Sequence, residues 1–199
     1  RASRRGGGRL ARATPFDLTP MDESHQTRRL DAIRRNFPEA RQLAITSAAT
    51  TEYNCIARAL GETDRCWWPG GYGCYWPVGV MAAVTREAFR WCFAGRGYQP
   101  CDDGGLVEGV EKLCLYEKAA TPTHAARQLP SGRWTSKLGP DEDVEHDLND
   151  LCGRRYGRPV AFFARPRARR GSPRPAGPPP AASASAWYAR RSVRNGAAA

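Results

Sequence analysis

Helices first and an antiparallel β-meander afterwards, an α+β order, is the architecture that the chain's patterning predicts. Three observations carry that prediction. Helical apolar spacing is confined to the first half, in segments closed by Pro38, Gly61 and Gly95. The second half holds short runs at strand length separated by turn residues, above all Leu129-Pro130-Ser131-Gly132. No internal repeat interrupts this order, and no βαβ alternation points to a parallel sheet.

From Asp22 to Asn36 the spacing of Leu30, Ile33 and Phe37 is helical, and Pro38 marks the break. Residues 41–52, rich in Thr, Ser and Ala, read as an irregular approach to Tyr53. Asn54 is a good N-cap for a short helix through Leu60, and Gly61 supplies a common C-terminal stop. Residues 66–77, with three tryptophans, two prolines and three glycines, are neither periodic nor alternating and read as a loop. Thr85 suits the N-cap of a helix through Ala94, with Ala88, Phe89, Cys92 and Phe93 on its buried side.

Strands are expected near Tyr98–Cys101, Val110–Glu117, His124–Leu129, Arg133–Leu138 and Pro159–Arg165, with an acidic helical turn near Asp141–Cys152. A type I turn over Leu129–Gly132, with Gly132 as the left-handed bulge residue, sets Leu129 opposite Arg133. Ala126 then faces Ser136 and His124 faces Leu138, which puts His124 and Ser136 on one side of the sheet as diagonal neighbours. A two-residue turn at Ser131-Gly132 shifts that register by one and turns Ser136 to the opposite side.

Length and charge bound the class. At 199 residues the chain accommodates one domain with tails. The net charge of +11 is unevenly spread. Residues 21–164 carry 18 basic and 19 acidic side chains, so the basicity belongs to the ends. The reading is a basic segment over 1–20, a single α+β domain over 21–165 and a tail over 166–199 built from Arg, Pro, Ala, Gly and Ser. Both ends offer too little apolar surface to offset the entropy of ordering and are expected to be disordered. Such arms contact nucleic acid or an anionic surface weakly, through salt-sensitive attraction.

No apolar run approaches the roughly 18 residues of a membrane span, and the Arg-rich start is not followed by an apolar signal core. A cytoplasmic location and no membrane partner are the expectations. Seven cysteines occur without a C-x-x-C pair, so neither structural zinc nor a dithiol redox motif is predicted. Reduced thiols are the default, and Cys66 and Cys74, flanking the glycine-rich loop, are the pair placed to bridge in an oxidising compartment. No phosphate-binding glycine motif, G-x-S-x-G elbow or H-E-x-x-H helix is present, and no cofactor is implied.

The chemistry-bearing residues are a sulfur and an imidazole. Cys55 falls in the first turn of the Asn54-capped helix, where unpaired N–H groups favour a thiolate and can hold an oxyanion. His124 enters a strand, which can hold a general base beside that sulfur, with Ser136 accepting from its second ring nitrogen. His146, in an acidic and exposed turn, is the competing third member and competing base. Five rings of the loop and one of the hairpin, among them Trp67, Trp68, Tyr75, Trp76 and Trp134, either line a substrate cleft or cap the core from outside.

This order of parts resembles the minimal papain-like fold of bacterial cell-wall cysteine peptidases and amidases. The resemblance covers Tyr53 to Leu138 and is one of arrangement. It implies Cys55 as nucleophile, His124 as base, Ser136 or His146 as orienter and Tyr53 with Cys55 at the oxyanion, acting on a peptide or other acyl substrate. The chain shows neither the Gly-rich or Asp-containing surround of the nucleophile nor the export signal typical of those enzymes. A cytoplasmic hydrolase, deamidase or transferase of the same fold is equally compatible. The strings Tyr53-Asn54-Cys55-Ile56-Ala57, Thr123-His124-Ala125-Ala126-Arg127-Gln128-Leu129-Pro130 and Gly132-Arg133-Trp134-Thr135-Ser136-Lys137-Leu138-Gly139 are also similar to a widespread bacterial family of unknown function. The alternative reading is a non-catalytic binding module that uses the aromatic loop.

Overall fold

A computed structural model describes residues 23–167; of the basic ends read from the sequence, residues 1–20 and 168–199 lie outside the described residues, whereas Pro166 closes the last strand and the Arg167 N–H donates to the Gly109 carbonyl. Three helices, α1 (Glu23–Asn36), α2 (Cys55–Leu60) and α3 (Arg86–Ala94), accompany seven strands. The strands are β1 (Ala44–Ile45), β2 (Gln99–Cys101), β3 (Val110–Lys118), β4 (Thr121–Gln128), β5 (Trp134–Lys137), β6 (Asp143–His146) and β7 (Arg158–Pro166). They form one antiparallel sheet in the order β1-β6-β5-β4-β3-β7-β2. The fold is α+β.

The caps act where the chain chemistry places them. Asn54 is extended and its side chain accepts from the Ala57 N–H, while Gly61 takes the left-handed conformation at φ 74°. Thr85 does for α3 what Asn54 does for α2, accepting from the Ala88 N–H.

Alternation along the buried central strand β3 divides the core in two. Leu113 and Leu115 pack with Ile56, Leu60, Phe89, Phe93 and Phe163 under α2 and α3. Cys114 and Tyr116 pack with Ile33, Phe37, Leu138, Val144 and Tyr156 under α1. The sheet is therefore the middle layer, and each face has its own helical cover.

The acidic turn expected over residues 141–152 is in part a strand. Asp143–His146 pairs with β5 from Trp134↔His146 to Lys137↔Asp143, and β1 covers its outer edge at Ala44↔Glu145 and Ile45↔Val144. Local polarity suggested a helical turn; ladder hydrogen bonds on both sides and full burial of Val144 outweigh that preference. The Leu129–Gly132 turn has the bulged form: Gly132 N–H donates to the Leu129 carbonyl, Leu129 N–H donates to the Arg133 carbonyl, and Gly132 has φ 86°. The resulting pairing, Arg127↔Thr135 and Gln128↔Trp134, is the register under which His124 and Ser136 share a face.

Candidate functional site

The ladder between β4 and β5 is short. It contains only the pairs at Arg127 and Gln128, although β4 stays paired to β3 as far as Thr121 and β5 stays paired to β6 as far as Lys137. The two strands part beyond Ala126. Helix α2 packs on both, and its first residue, Cys55, lies near the Ala125 amide beside the opening.

Cys55 is buried. Burial pushes its thiol up to about 11, against the lowering pull of the backbone N–H groups of Ala125, Ile56 and Cys55 itself and of the Lys137 cation. The Ala125 amide is the informative one among these, because it belongs to the stretch of β4 that is paired to β3 but not to β5 and immediately follows His124. Three converging N–H groups would hold a thiolate or a carbonyl oxyanion. At rest the sulfur is a protonated thiol.

The His124 imidazole lies flat on the Tyr156 ring, centroids 3.9 Å apart at 11°, with Tyr116 edge-on at 5.4 Å. Its burial holds the imidazole well below its usual pKa, with smaller lowering contributions from His146 and Arg155. Among the described residues neither ring nitrogen has a hydrogen-bond partner. The expected Cys55–His124 hydrogen bond is thus not made: alternation turns the His124 side chain to the α1 face with Tyr116 and Ala126, whereas Cys55 approaches from the α2 face.

Ser136 does not orient His124. Its Oγ lies 2.9 Å from His146 Nε2, because His146 is the diagonal neighbour across the continuous β5–β6 ladder whereas His124 stands across the opening. His146 is fully buried in β6 and not exposed in a turn, with Nδ1 2.8 Å from the Asp147 carbonyl. Tyr53, expected at the oxyanion, spends its hydroxyl on Asp143 Oδ2 at 2.9 Å.

The aromatic residues divide unequally. Trp67 and Trp134 are core residues at 1% and 3% exposure, in the α2-side and α1-side clusters respectively. Trp68 and Trp76 are half-buried and pack edge-on against Phe89 at 5.5 and 5.3 Å. Of the five rings expected to bind substrate, Tyr75 alone is classed as exposed, and it stacks edge-on against Trp67. Core packing thus takes four of them, Trp67 and Trp134 within the clusters and Trp68 and Trp76 capping Phe89 from outside. A Cys66–Cys74 disulfide closes this loop, so these two thiols are not reduced.

Sequence reasoning missed the polar residues beside Cys55 on the α2 face. Lys137, fully buried, turns its Nζ to the Asp141 carbonyl and over the Tyr53 ring. Asp143 takes the Tyr53 hydroxyl, and Arg58 Nε stands 3.1 Å from Asp143 Oδ2 as an ion pair outside hydrogen-bond alignment. Arg58 also donates from Nη2 to Thr135 Oγ1 at 3.3 Å. The available signal was register: Thr135 and Lys137 alternate with Ser136 and so face α2. Nothing in the sequence pointed to Tyr156.

A cavity of about 620 Å³ lies elsewhere, between α3 and β7, lined by Arg86, Arg90, Cys101, Glu117 and Phe162 among others. Among the described residues no group of His, Cys, Asp and Glu side chains is arranged to hold a metal ion, and no helix is long and apolar enough to cross a membrane. A family model described as a domain of unknown function, DUF7689, matches residues 44–164. No curated protein and no solved structure matches the chain.

Proposed function

We propose that this chain, which belongs to the DUF7689 family, is a papain-like cysteine hydrolase acting on an amide or related acyl bond, with Cys55 as nucleophile and His124 as base. One observation carries the reading. The Cys55 thiol lies within the influence of the backbone amide of Ala125, and the preceding residue, His124, holds a fully buried imidazole with both nitrogens unpartnered among the described residues. A buried imidazole without hydrogen bonds is costly, and such groups concentrate where a site is kept for chemistry.

The site described above is then a closed resting state. Engagement requires the imidazole to leave its stack on Tyr156 and reach the sulfur through the opening between β4 and β5. His124 takes the thiol proton as sulfur bonds to the acyl carbon, and the N–H groups of Cys55, Ile56 and Ala125 hold the oxyanion. The proton passes to the leaving amine as the C–N bond breaks. Water, deprotonated by the same imidazole, adds to the thioester, releases the acid and returns the thiol. His146 is locked by Ser136 and the Asp147 carbonyl and makes no hydrogen bond to His124.

The test is covalent labelling with a peptidyl acyloxymethyl ketone, read by intact mass and peptide mapping. Wild type is expected to gain one adduct at Cys55, Cys55→Ala none, and His124→Phe, which keeps the stack on Tyr156 but has no base, at least ~100-fold less. Equal labelling of wild type and His124→Phe would falsify the role of the imidazole.

A second reading has its own support: Tyr72, Val78 and Met81 are exposed on the disulfide-closed loop and its continuation, an apolar surface suited to a protein partner. Absence of any Cys55 adduct, together with saturable binding lost in Tyr72→Ser/Met81→Ser, favours that binding module.

A further inference from the structure

On the α2 face, next to the opening beside Cys55, two arginines, Arg58 and Arg127, share Thr135 as a neighbour, and few carboxylates are left to balance them. Arg127 is two residues beyond Ala125 on β4 and Arg58 is three beyond Cys55 on α2, so both project on the same side and in the same order along their elements. Arg58 bonds Thr135, which pairs with Arg127 across the β4–β5 ladder. Arg127 is half-buried and, among the described residues, its guanidinium makes no hydrogen bond and no ion pair.

The groups that act on Arg127 are Glu111, Arg58, Tyr98 and Arg165. Glu111 is the only carboxylate of the four, and it is already committed. It accepts from the Tyr98 hydroxyl and from Arg165 Nε and Nη2 at 3.1 and 2.7 Å, and Arg167 stands 3.6 Å away. Asp143 in turn serves Arg58 and Tyr53. A guanidinium removed from water beside a second guanidinium is unfavourable unless a further anion completes the set. Burial also holds the Arg127 pKa down, as expected of a cation lacking its counter-charge.

We infer that Arg127, with Arg58 and Thr135, forms a binding site for an anionic group, carboxylate or phosphate, carried by the substrate. Planar guanidinium forks suit both oxyanions through paired N–H donors. The identification of the ligand as substrate rests on the hydrolase reading and would make the scissile bond an amide or ester flanked by an acidic group. The anion site itself does not depend on Cys55.

The experiment is thermal unfolding of the full chain in sodium phosphate, in sodium glutarate and in sodium chloride at matched ionic strength. Wild type is expected to gain about 3 °C or more in one of the two oxyanions over chloride at saturation. Phosphate alone, glutarate alone or both identifies the chemistry accepted. The arginine-rich ends also attract anions, so the part of the shift that counts is the part removed by Arg127→Met. That variant is expected to lose the shift while unfolding in chloride at or above the wild-type temperature, and Arg127→Lys to retain part of it; Arg127→Gln replaces the Met variant if the latter does not fold. No oxyanion-specific shift in wild type, or the same shift in the Arg127 variants, overturns the site. The shift is expected unchanged in Cys55→Ala, so a failed labelling test leaves the anion site standing, and the reverse.

Discussion

Ser136 Oγ and His146 Nε2 are hydrogen-bonded at 2.9 Å across the buried β5–β6 ladder, and this pair fixes a proton. Because His146 Nδ1 donates to the Asp147 carbonyl, Nε2 is the unprotonated nitrogen and the serine hydroxyl donates to it. Burial favours the neutral form of both histidines of the sheet. Burial depresses His146 to about 4 and holds His124 well below its usual value.

Their depression makes stability depend on pH in a definite sense. The unfolded chain protonates these imidazoles near pH 6.5 and the folded one does not, so their contribution is complete above that value and declines as pH falls toward 4. His146 adds a slope of about 1.4 kcal/mol per pH unit in that window, and His124 steepens the dependence in the same direction. Urea unfolding between pH 4.5 and 7.5 measures it, and His124→Phe is expected to flatten the curve. An unchanged slope in that variant removes His124 from the account.

Thiol accessibility gives a second prediction. Cys55 is closed and its thiol is pushed up to about 11, whereas Cys101 and Cys152 are partly exposed. Iodoacetamide at pH 8 is expected to modify those two first and Cys55 at least ~10-fold more slowly in the folded protein. Cys55 reacting ahead of Cys101 shows the resting site to be open.

The two-residue turn between β3 and β4 places Ala119 and Ala120 at φ 48° and 61°, a conformation that glycine and asparagine adopt at lower cost. Ala119→Asn/Ala120→Gly is therefore expected to raise stability by about 1–2 kcal/mol. Chemical denaturation reads this directly. A loss of stability means the turn is held by something other than its own backbone.

Gly157 behaves in the opposite sense. It has φ 78°, and a Cβ there would run into the carbonyl of Glu117, which belongs to the bulged β3–β7 ladder and cannot step aside. Gly157→Ala is expected to cost more than about 3 kcal/mol and to displace Tyr156, the ring on which His124 stacks. A Tm within 2 °C of wild type, on the order of 1 kcal/mol, contradicts that close approach.

Closing the Cys66–Cys74 bridge constrains a short loop, and opening it with reductant is expected to lower stability by about 2–3 kcal/mol. Differential scanning fluorimetry with and without dithiothreitol, repeated on Cys66→Ser/Cys74→Ser, separates this effect from reduction of other thiols.

Much of the chain was legible residue by residue because the signals are local. Asn54, Gly61 and Thr85 fix helix ends through hydrogen bonds and backbone conformations within a few residues, and Gly132 sets the β4–β5 register by the same short-range means. That register by itself put His124 and Ser136 on a common face. The partner each side chain takes was decided by the sheet as a whole. Ser136 bonds His146 because β6 is a strand that the acidic residues around it did not announce, and the Cys55 sulfur meets the Ala125 amide because β4 and β5 separate after two pairs. Sequence spacing sets which residues lie on a face, but distances across a sheet depend on where strands diverge, and that is fixed by long-range packing of α1 and α2 on its two sides.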